Sequence, residues 1–145
     1  ARLANGKQAV APRLVKSNGD AVPDFAPLDI DPYALAIIRE GMFEVMNGRF
    51  GTARNYNLDR SLGGMAGKTG TVQVKRITKA QREVGIVNNI DRPWAERAHA
   101  LFLAYAPVEQ PRYAICVVVE HGGSGSSSAA PVARDILAQL MQKQG

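Results

Sequence analysis

The sequence has 145 residues, of which 46% are hydrophobic and 21% are charged, and its net charge is +5. This length fits one domain, and the composition excludes wholesale disorder. In the densest basic stretch, 75–97, Trp94 is the only aromatic residue. Nucleic-acid binders interleave aromatic and basic residues more strongly, so we expect a solvated loop there and no nucleic acid as partner.

The single cysteine, Cys116, excludes an intrachain disulfide framework. It lies in an apolar run, which predicts a small core residue rather than a nucleophile. No apolar run approaches the roughly 18 residues that a membrane span needs, and no signal peptide opens the chain. Because the chain begins at Ala1 without Met, we expect a processed or excised piece of a longer protein.

The first half of the chain alternates turn formers with one clear helix. Residues 1–30 are rich in Gly, Asn and Pro, with a short edge strand expected over 12–16. Asp31 followed by Pro32 is a typical helix start, and the apolar spacing that follows predicts a helix over 31–47. Residues 48–67 are rich in glycine and lack periodicity, so we interpret them as a loop.

The second half predicts a small sheet. Thr and Val indicate a strand over 68–75, and a long polar loop with a helical turn near 79–83 follows. Apolar runs at 98–106 and 113–120 predict a β-hairpin. A flexible connector over 121–128 leads to a closing helix, 129–142. That helix is expected to bury one apolar face: Val132, Ile136, Leu137, Leu140 and Met141. The fold class is therefore α+β, with helices against an antiparallel sheet of three strands.

Gly67-Lys68-Thr69 superficially suggests a phosphate-binding loop. That motif needs a glycine at position 62, where this chain has Leu62, and it turns into a helix rather than a strand. A nucleotide site is therefore not expected. No metal-ligand cluster is visible either, and the sequence predicts no cofactor. His99 is interpreted as a packing or surface residue, and His121 as a turn residue.

Lys68-Thr69-Gly70-Thr71 has the form of the K-T-G element of penicillin-interacting serine enzymes, which lies on a strand at a sheet edge. Either Lys68 and Gly70 or Thr69 and Thr71 would face the cleft, and the missing side chain of Gly70 would let a substrate backbone approach. Alone, the tripeptide is weak evidence, because a lysine at the start of a strand is common.

The surrounding residues make the interpretation specific. Taken in order, the chain resembles the C-terminal half of the transpeptidase domain of class B penicillin-binding proteins, most closely the elongation-type members. The matching stretches, which span essentially the whole chain, are Leu3-Ala4-Asn5-Gly6, Gly41-Met42 with Val45, Gly51-Thr52-Ala53, 65–74, 99–107, 113–120 and 129–133. Lys7 departs from the family, which often has a second glycine there.

The resemblance implies a β-lactamase/transpeptidase-like fold of which residues 1–145 are an incomplete C-terminal portion. About two of the five strands would come from upstream. It also implies that the nucleophile is elsewhere, because none of the serines of this chain stands in the family's S-x-x-K or S-x-N motif. These serines are Ser17, Ser61, Ser124, Ser126, Ser127 and Ser128. The chain alone is therefore expected to be inactive.

By resemblance, the parent is a peptidoglycan D,D-transpeptidase that forms an acyl-serine intermediate on the D-Ala-D-Ala end of a stem peptide and is acylated by β-lactams. Lys68 would supply positive potential beside the nucleophile, and the hydroxyls of Thr69 and Thr71 would bind the substrate carboxylate. The N–H of Thr71 would form half of the oxyanion hole. Gly51-Thr52-Ala53 would shape the cleft or serve only the fold, and the loop 76–97 would gate it or be a surface excursion.

The resemblance implies a location at the periplasmic face of the bacterial inner membrane and a membrane glycosyltransferase as partner of the parent. The strand at 113–120 would expose an apolar edge, so we expect either a companion chain with the N-terminal half or a swapped or self-paired assembly. Three alternatives remain open, namely a D,D-carboxypeptidase, a serine β-lactamase and a non-catalytic binding module.

Overall fold

The structure is a computed structural model that describes residues 1–7, 25–85 and 87–143. The strand expected over 12–16 lies outside these residues. Among the described residues, no helix combines the length and the apolar character that crossing a membrane requires.

The described residues before the sheet contain two α-helices. A single turn, α1, covers Arg2–Asn5 and was not predicted, because it is too short to show a periodicity. The longer α2 covers Pro32–Asn47, as the sequence predicts. Its start is fixed by Asp31, whose carboxylate accepts a 2.7 Å hydrogen bond from the N–H of Tyr33. Arg39 joins the two helices by donating to the carbonyl oxygens of Leu3 and Ala4.

The sheet has three antiparallel strands in the order β1-β2-β3 in the described part of the chain. They are β1 at Ala66–Val72, β2 at His99–Ala106 and β3 at Tyr113–Val119. This confirms the α+β class and the hairpin. The first strand lies earlier than the predicted 68–75. It ends at Val72 because the partner of Val72 is His99, the first residue of β2, so the chain beyond Val72 has no strand to pair with.

The long connection between β1 and β2 contains the expected helical turn. This turn is α3, Lys79–Val84, and two short 3₁₀ turns follow at Asn89–Asp91 and Trp94–Glu96. The chain re-enters the sheet where the side-chain oxygen of Asn89 accepts from the N–H of Ala98 at 2.8 Å.

The segment after β3 is more ordered than a flexible connector. Gly125–Ala129 forms a five-residue π-helical turn that runs directly into α4, Ala130–Gln142. The N–H of Gly123 donates to the carbonyl of Ala98 at 2.8 Å, and the hydroxyl of Ser128 donates to that of Gly122 at 2.7 Å. These bonds fold glycine and serine residues, whose composition alone suggests flexibility, into a defined turn.

The closing helix buries only part of the predicted face, since Leu137 is fully buried and Met141 packs against the core. Its fully buried residues are Ala130, Ala133 and Leu137, whereas Val132 and Ile136 are each 42% exposed. Ala130, Ala133 and Leu137 belong to the same core cluster as Phe102. Val132 and Ile136 lie outside this contact and remain partly in water.

Side chains alternate across the sheet, so its two faces differ. The face beneath α4 carries Ala100, Phe102 and Ala104, which are at most 4% exposed and belong to the main core. The opposite face carries Leu103 and Val118, which are 45% and 57% exposed. We call these the closed face and the open face.

Cys116 lies on the open face opposite Leu103 and is exposed, so the prediction of a core cysteine was wrong. The apolar run around it is a strand with one covered side, and sequence position alone does not tell which side an individual residue occupies. In the described part of the chain, one end of the open face is covered where Ala66 and Tyr105 pack with Met42 of α2 and Ala4 of α1.

Candidate functional site

The candidate site is built on β1, which forms one edge of the described sheet. Lys68 and Thr71 are exposed, and Thr69 and Gly70 are half-buried. The register pairs Lys68 with Leu103 and Thr69 with Phe102. The lysine therefore lies on the open face, and the hydroxyl of Thr69 lies on the side of the closed face. Thr71 shares that side with Thr69, so the strand presents cation and hydroxyls on two sides of one edge.

The ammonium group of Lys68 is poorly neutralised. Its Nζ donates to the carbonyl oxygen of the adjacent Thr69 at 2.7 Å. Within residues 1–7, 25–85 and 87–143 it forms no ion pair. A carbonyl accepts the hydrogen bond without cancelling the charge, so the positive potential remains available to an anionic ligand.

The turn after α2 reaches the strand from the side. The hydroxyls of Thr52 and Thr69 are 3.2 Å apart, within hydrogen-bond distance. Further back, the side-chain amide of Asn47 donates to the carbonyl of Met65 at 3.2 Å, just before the strand begins. Two contacts therefore fix the end of α2 to β1. The expectation that Gly51-Thr52-Ala53 lies near the strand agrees with this geometry.

A groove of about 340 Å³ opens beside this contact. It is lined by Gly41, Glu44, Val45, Arg49, Phe50, Gly51 and Thr52. Phe50 is 88% exposed, and the guanidinium of Arg49 lies 5.4 Å from the centre of its ring. The groove thus has Thr52 on one wall and a cation and an aromatic ring, Arg49 and Phe50, among its other lining residues.

The strand is supported from behind by the turn that leads into α4. A Cβ atom added to Gly125 would clash with the carbonyl oxygen of Leu101 and lie 2.5 Å from that of Gly70. This spacing requires glycine, since both oxygens are backbone atoms and cannot move aside cheaply. The π-helical turn therefore lies directly on the backbone of the K-T-G element.

Sequence reasoning missed a cluster of three aromatic rings at the start of β2, formed by Trp94, His99 and His121. The N–H of His121 donates to Nδ1 of His99 at 2.9 Å, and Nδ1 of His121 lies 3.0 Å from the carbonyl oxygen of Arg97. His99 is therefore unprotonated at Nδ1, whereas His121 carries a proton there. Trp94 covers His121 at a ring distance of 4.0 Å. His121 has a φ of 56°, so it is a turn residue as predicted.

A second cavity, of about 300 Å³, lies within the connection between β1 and β2. It is lined by Lys75, Arg76, Ile77, Gly85, Val87, Asp91, Arg92, Pro93 and Glu96. Lys75 and Glu96 form an ion pair of 2.6 Å across it. The gating role considered for this loop stays a prediction.

Among the described residues, two side chains have shifted pKa values, and both lie outside the K-T-G element. Burial raises the pKa of the Tyr105 hydroxyl above its usual range. Hydrogen bonds from the side chain and backbone of Ser61 lower the pKa of Asp59. Tyr105 pairs with Ala66 at the start of β1, two residues before Lys68, and Asp59 lies before the strand.

Comparison with known proteins finds relatives along most of the chain. The penicillin-binding protein transpeptidase domain matches residues 1–138. The peptidoglycan D,D-transpeptidase MrdA of Haemophilus influenzae is 34% identical over 143 residues, in a match that covers 93% of this chain and 21% of that protein. The chain thus spans about a fifth of the length of this curated relative.

Two solved structures have the same fold. The Pseudomonas aeruginosa PBP2, in complex with WCK 5153, is 32% identical, with a TM-score of 0.66 over 97% of this chain and 27% of that one. The Helicobacter pylori PBP2, in complex with MreC, is 26% identical, with a TM-score of 0.64 over 99% of this chain and 23% of that one. The resemblance to elongation-type proteins that the sequence indicates is thereby confirmed, and the chain belongs to the penicillin-binding protein transpeptidase domain family.

Proposed function

We propose that this chain supplies the K-T-G wall of a peptidoglycan D,D-transpeptidase that works through an acyl-serine intermediate. The observation that carries the proposal is the exposed Lys68 on an edge strand, beside the hydroxyls of Thr69 and Thr71. A cation and two hydroxyls on one edge suit a ligand that ends in a carboxylate, such as the D-Ala-D-Ala end of a stem peptide.

Each residue has a role in this scheme. Lys68 supplies positive potential near the nucleophile and the carboxylate, and the hydroxyls of Thr69 and Thr71 bind the carboxylate. Gly70 leaves room for the substrate backbone. The N–H of Thr71 donates to the oxyanion that develops when the serine attacks the carbonyl, and the N–H of the nucleophile itself is the second donor.

The chemistry runs in two steps. The serine oxygen bonds to the carbonyl carbon of D-Ala-D-Ala, and the C–N bond breaks and releases D-Ala with the serine proton. An amine of a neighbouring stem peptide then attacks the acyl-serine and restores the hydroxyl. β-Lactams enter by the first step and stop there, because opening the ring leaves the departing nitrogen attached.

The serine of this scheme comes from a segment other than these 145 residues, since no S-x-x-K is present in them. We call the chain joined to such a segment the complete domain. The exposed Leu103 and Val118 of the open face support the presence of such a segment, because they are apolar side chains that a further layer would cover. The edge of β3 would pair with an upstream strand, from a companion chain or from a swapped or self-paired copy.

The relatives support a setting for the complete domain. It would act at the periplasmic face of the inner membrane, with a membrane glycosyltransferase as partner. The Helicobacter pylori relative was solved with MreC, which supports work within an assembly of proteins. A D,D-carboxypeptidase or a serine β-lactamase remains the second candidate function, because Lys68, Thr69 and Thr71 would serve either reaction equally.

The test is the rate of acylation by a fluorescent penicillin in the complete domain. We expect Lys68→Ala to slow acylation severely, by about 100-fold or more, which is the usual scale for losing a group that stabilises the transition state. Lys143→Ala, which also removes an exposed lysine, is the matched control and should leave the rate unchanged. Near-normal acylation of Lys68→Ala would contradict the proposed role.

A further inference from the structure

The turn that carries Thr52 is held rigidly to α2. A Cβ atom added to Gly51 would lie 2.5 Å from the carbonyl oxygens of both Glu44 and Val45, so the backbone packs there without room for a side chain. The N–H of Ala53 donates to the carbonyl of Val45 at 3.1 Å, and Ala53 is only 1% exposed. Thr52 is thus fixed on both sides, and its side chain is the group that projects from this anchor.

The hydroxyl of Thr52 meets the hydroxyl of Thr69 at 3.2 Å. In the described part of the chain, neither hydroxyl has another hydrogen bond with a protein group. A hydroxyl carries one proton and two acceptor positions, so each member of the pair can donate once and accept twice. With no ligand present, either one can be the donor.

A carboxylate ligand removes that freedom. An ionised carboxylate only accepts hydrogen bonds, so Thr69 must point its single proton at the ligand. The remaining contact within the pair then needs Thr52 as the donor. A hydrogen bond received by Thr69 also polarises its own O–H, which strengthens the bond that Thr69 gives.

We propose that Thr52 is a positioning residue for the transpeptidase reaction. Its hydroxyl donates to Oγ1 of Thr69 and so directs the proton of Thr69 to the carboxylate of the stem peptide or β-lactam. This inference rests on the proposed function, since it assigns Thr52 to the same carboxylate site. Thr52 acts through Thr69 and does not itself touch the ligand.

The experiment compares benzylpenicillin acylation of the complete domain with that of Thr52→Val, which keeps the shape and removes the hydroxyl. We expect a loss of about 3- to 10-fold, the scale of one neutral hydrogen bond, appearing as weaker binding before acylation rather than as a slower acylation step. Thr52→Ser keeps the hydroxyl and should restore at least half of the wild-type rate.

A double-substitution cycle separates positioning from general structural damage. Thr69→Val removes the direct contact and should cost about 10- to 100-fold, since that bond is to a charged group. Adding Thr52→Val to Thr69→Val should then lower the acylation rate by less than about 2-fold, because the hydroxyl of Thr69 through which Thr52 acts is already absent. The methyl ester of benzylpenicillin lacks the anionic acceptor, and it should likewise respond to Thr52→Val by less than about 2-fold.

Three results would overturn the inference. They are an unchanged rate in Thr52→Val, no recovery in Thr52→Ser, and a full additional loss when Thr52→Val is added to Thr69→Val. In each of these cases the wild-type complete domain is still acylated, so the proposed function stands. A complete domain that benzylpenicillin does not acylate at all overturns the proposed function and this inference with it.

Discussion

The two faces of the sheet are built from neighbouring residues of the same strands, yet they differ sharply in burial. On β2, Phe102 is 1% exposed on the closed face, and Leu103, the next residue, is 45% exposed on the open face. Both residues are apolar and lie in the middle of the strand. The difference therefore reflects which layers are present rather than the character of the residues.

The comparison shows which face of the sheet is covered by other elements of this chain and which face is largely exposed. The closed face has its own layer, since α4 and the π-helical turn place Ala129, Ala133 and Leu137 on it at 0% exposure. In the described residues, Met42 and Ala4 cover the open face beside Tyr105, whereas Leu103 in the middle is 45% exposed. Lys68 lies on this open face, so the proposed catalytic cation and the uncovered apolar surface share one side of the molecule.

The largest expected effect comes from truncating the two neighbours on β2. Phe102→Ala should lower the free energy of unfolding of the 145-residue chain by about 3 to 5 kcal/mol, because it leaves a cavity in the closed core. Leu103→Ala should lower it by about 1 kcal/mol or less, since much of that side chain is already in water. Urea unfolding followed by circular dichroism measures both.

Phe102→Ala and Leu103→Ala also test, in the complete domain, whether a further layer covers the open face. If a further layer covers the open face there, Leu103→Ala should become a core truncation and cost about 2 to 5 kcal/mol. The cost of Phe102→Ala should stay where it was, which makes it the internal control. Equal costs for the two variants in the 145-residue chain would show that the faces do not differ as described.

A smaller effect is expected from adding one methyl group to either of two glycines. Gly125→Ala places a Cβ against backbone atoms of Gly70 and Leu101 and should destabilise the chain by about 1 to 3 kcal/mol. Gly41→Ala, in the exposed middle of α2, meets nothing within 4 Å and should stabilise it by about 0.5 to 1 kcal/mol.

Thermal unfolding of the two alanine variants gives the sign of each change. Opposite signs are expected, because one methyl group enters a tight backbone contact and the other replaces the least helix-forming residue apart from proline. A stable Gly125→Ala would mean that the turn before α4 does not lie on the K-T-G strand. The conclusion that this turn packs against the backbone of the K-T-G element would then be wrong.

The sequence predicts most of the fold because each element carries its own local signal. Asp31 and Pro32 mark the start of α2, and the separated apolar runs mark the hairpin of β2 and β3. The candidate site was identified from Lys68-Thr69-Gly70-Thr71, because the surrounding stretches recur in family order. The contact between Thr52 and Thr69 agrees with the expected approach of Gly51-Thr52-Ala53 to the strand. The sequence does not predict that the two hydroxyls meet, because this depends on how the turn and the strand pack in the folded chain.

The failures have a common physical cause, which is that the sequence does not tell what covers each face. Cys116 was predicted to be buried because it lies in an apolar run, yet it points to the open face. Val132 and Ile136 were predicted to be buried because they lie on the apolar face of the closing helix, whereas its fully buried residues are Ala130, Ala133 and Leu137. The pair of His99 and His121 joins residues 22 positions apart, and no local pattern signals it.

The central claim is that these 145 residues form one wall of an acyl-serine site whose nucleophile another segment provides. Denaturing intact mass spectrometry tests it directly, after benzylpenicillin treatment of the chain co-purified with a separate upstream segment that carries S-x-x-K. The account predicts one penicilloyl adduct on the upstream segment and none on the 15.6 kDa chain. An adduct on the 15.6 kDa chain, or on neither segment, would contradict it.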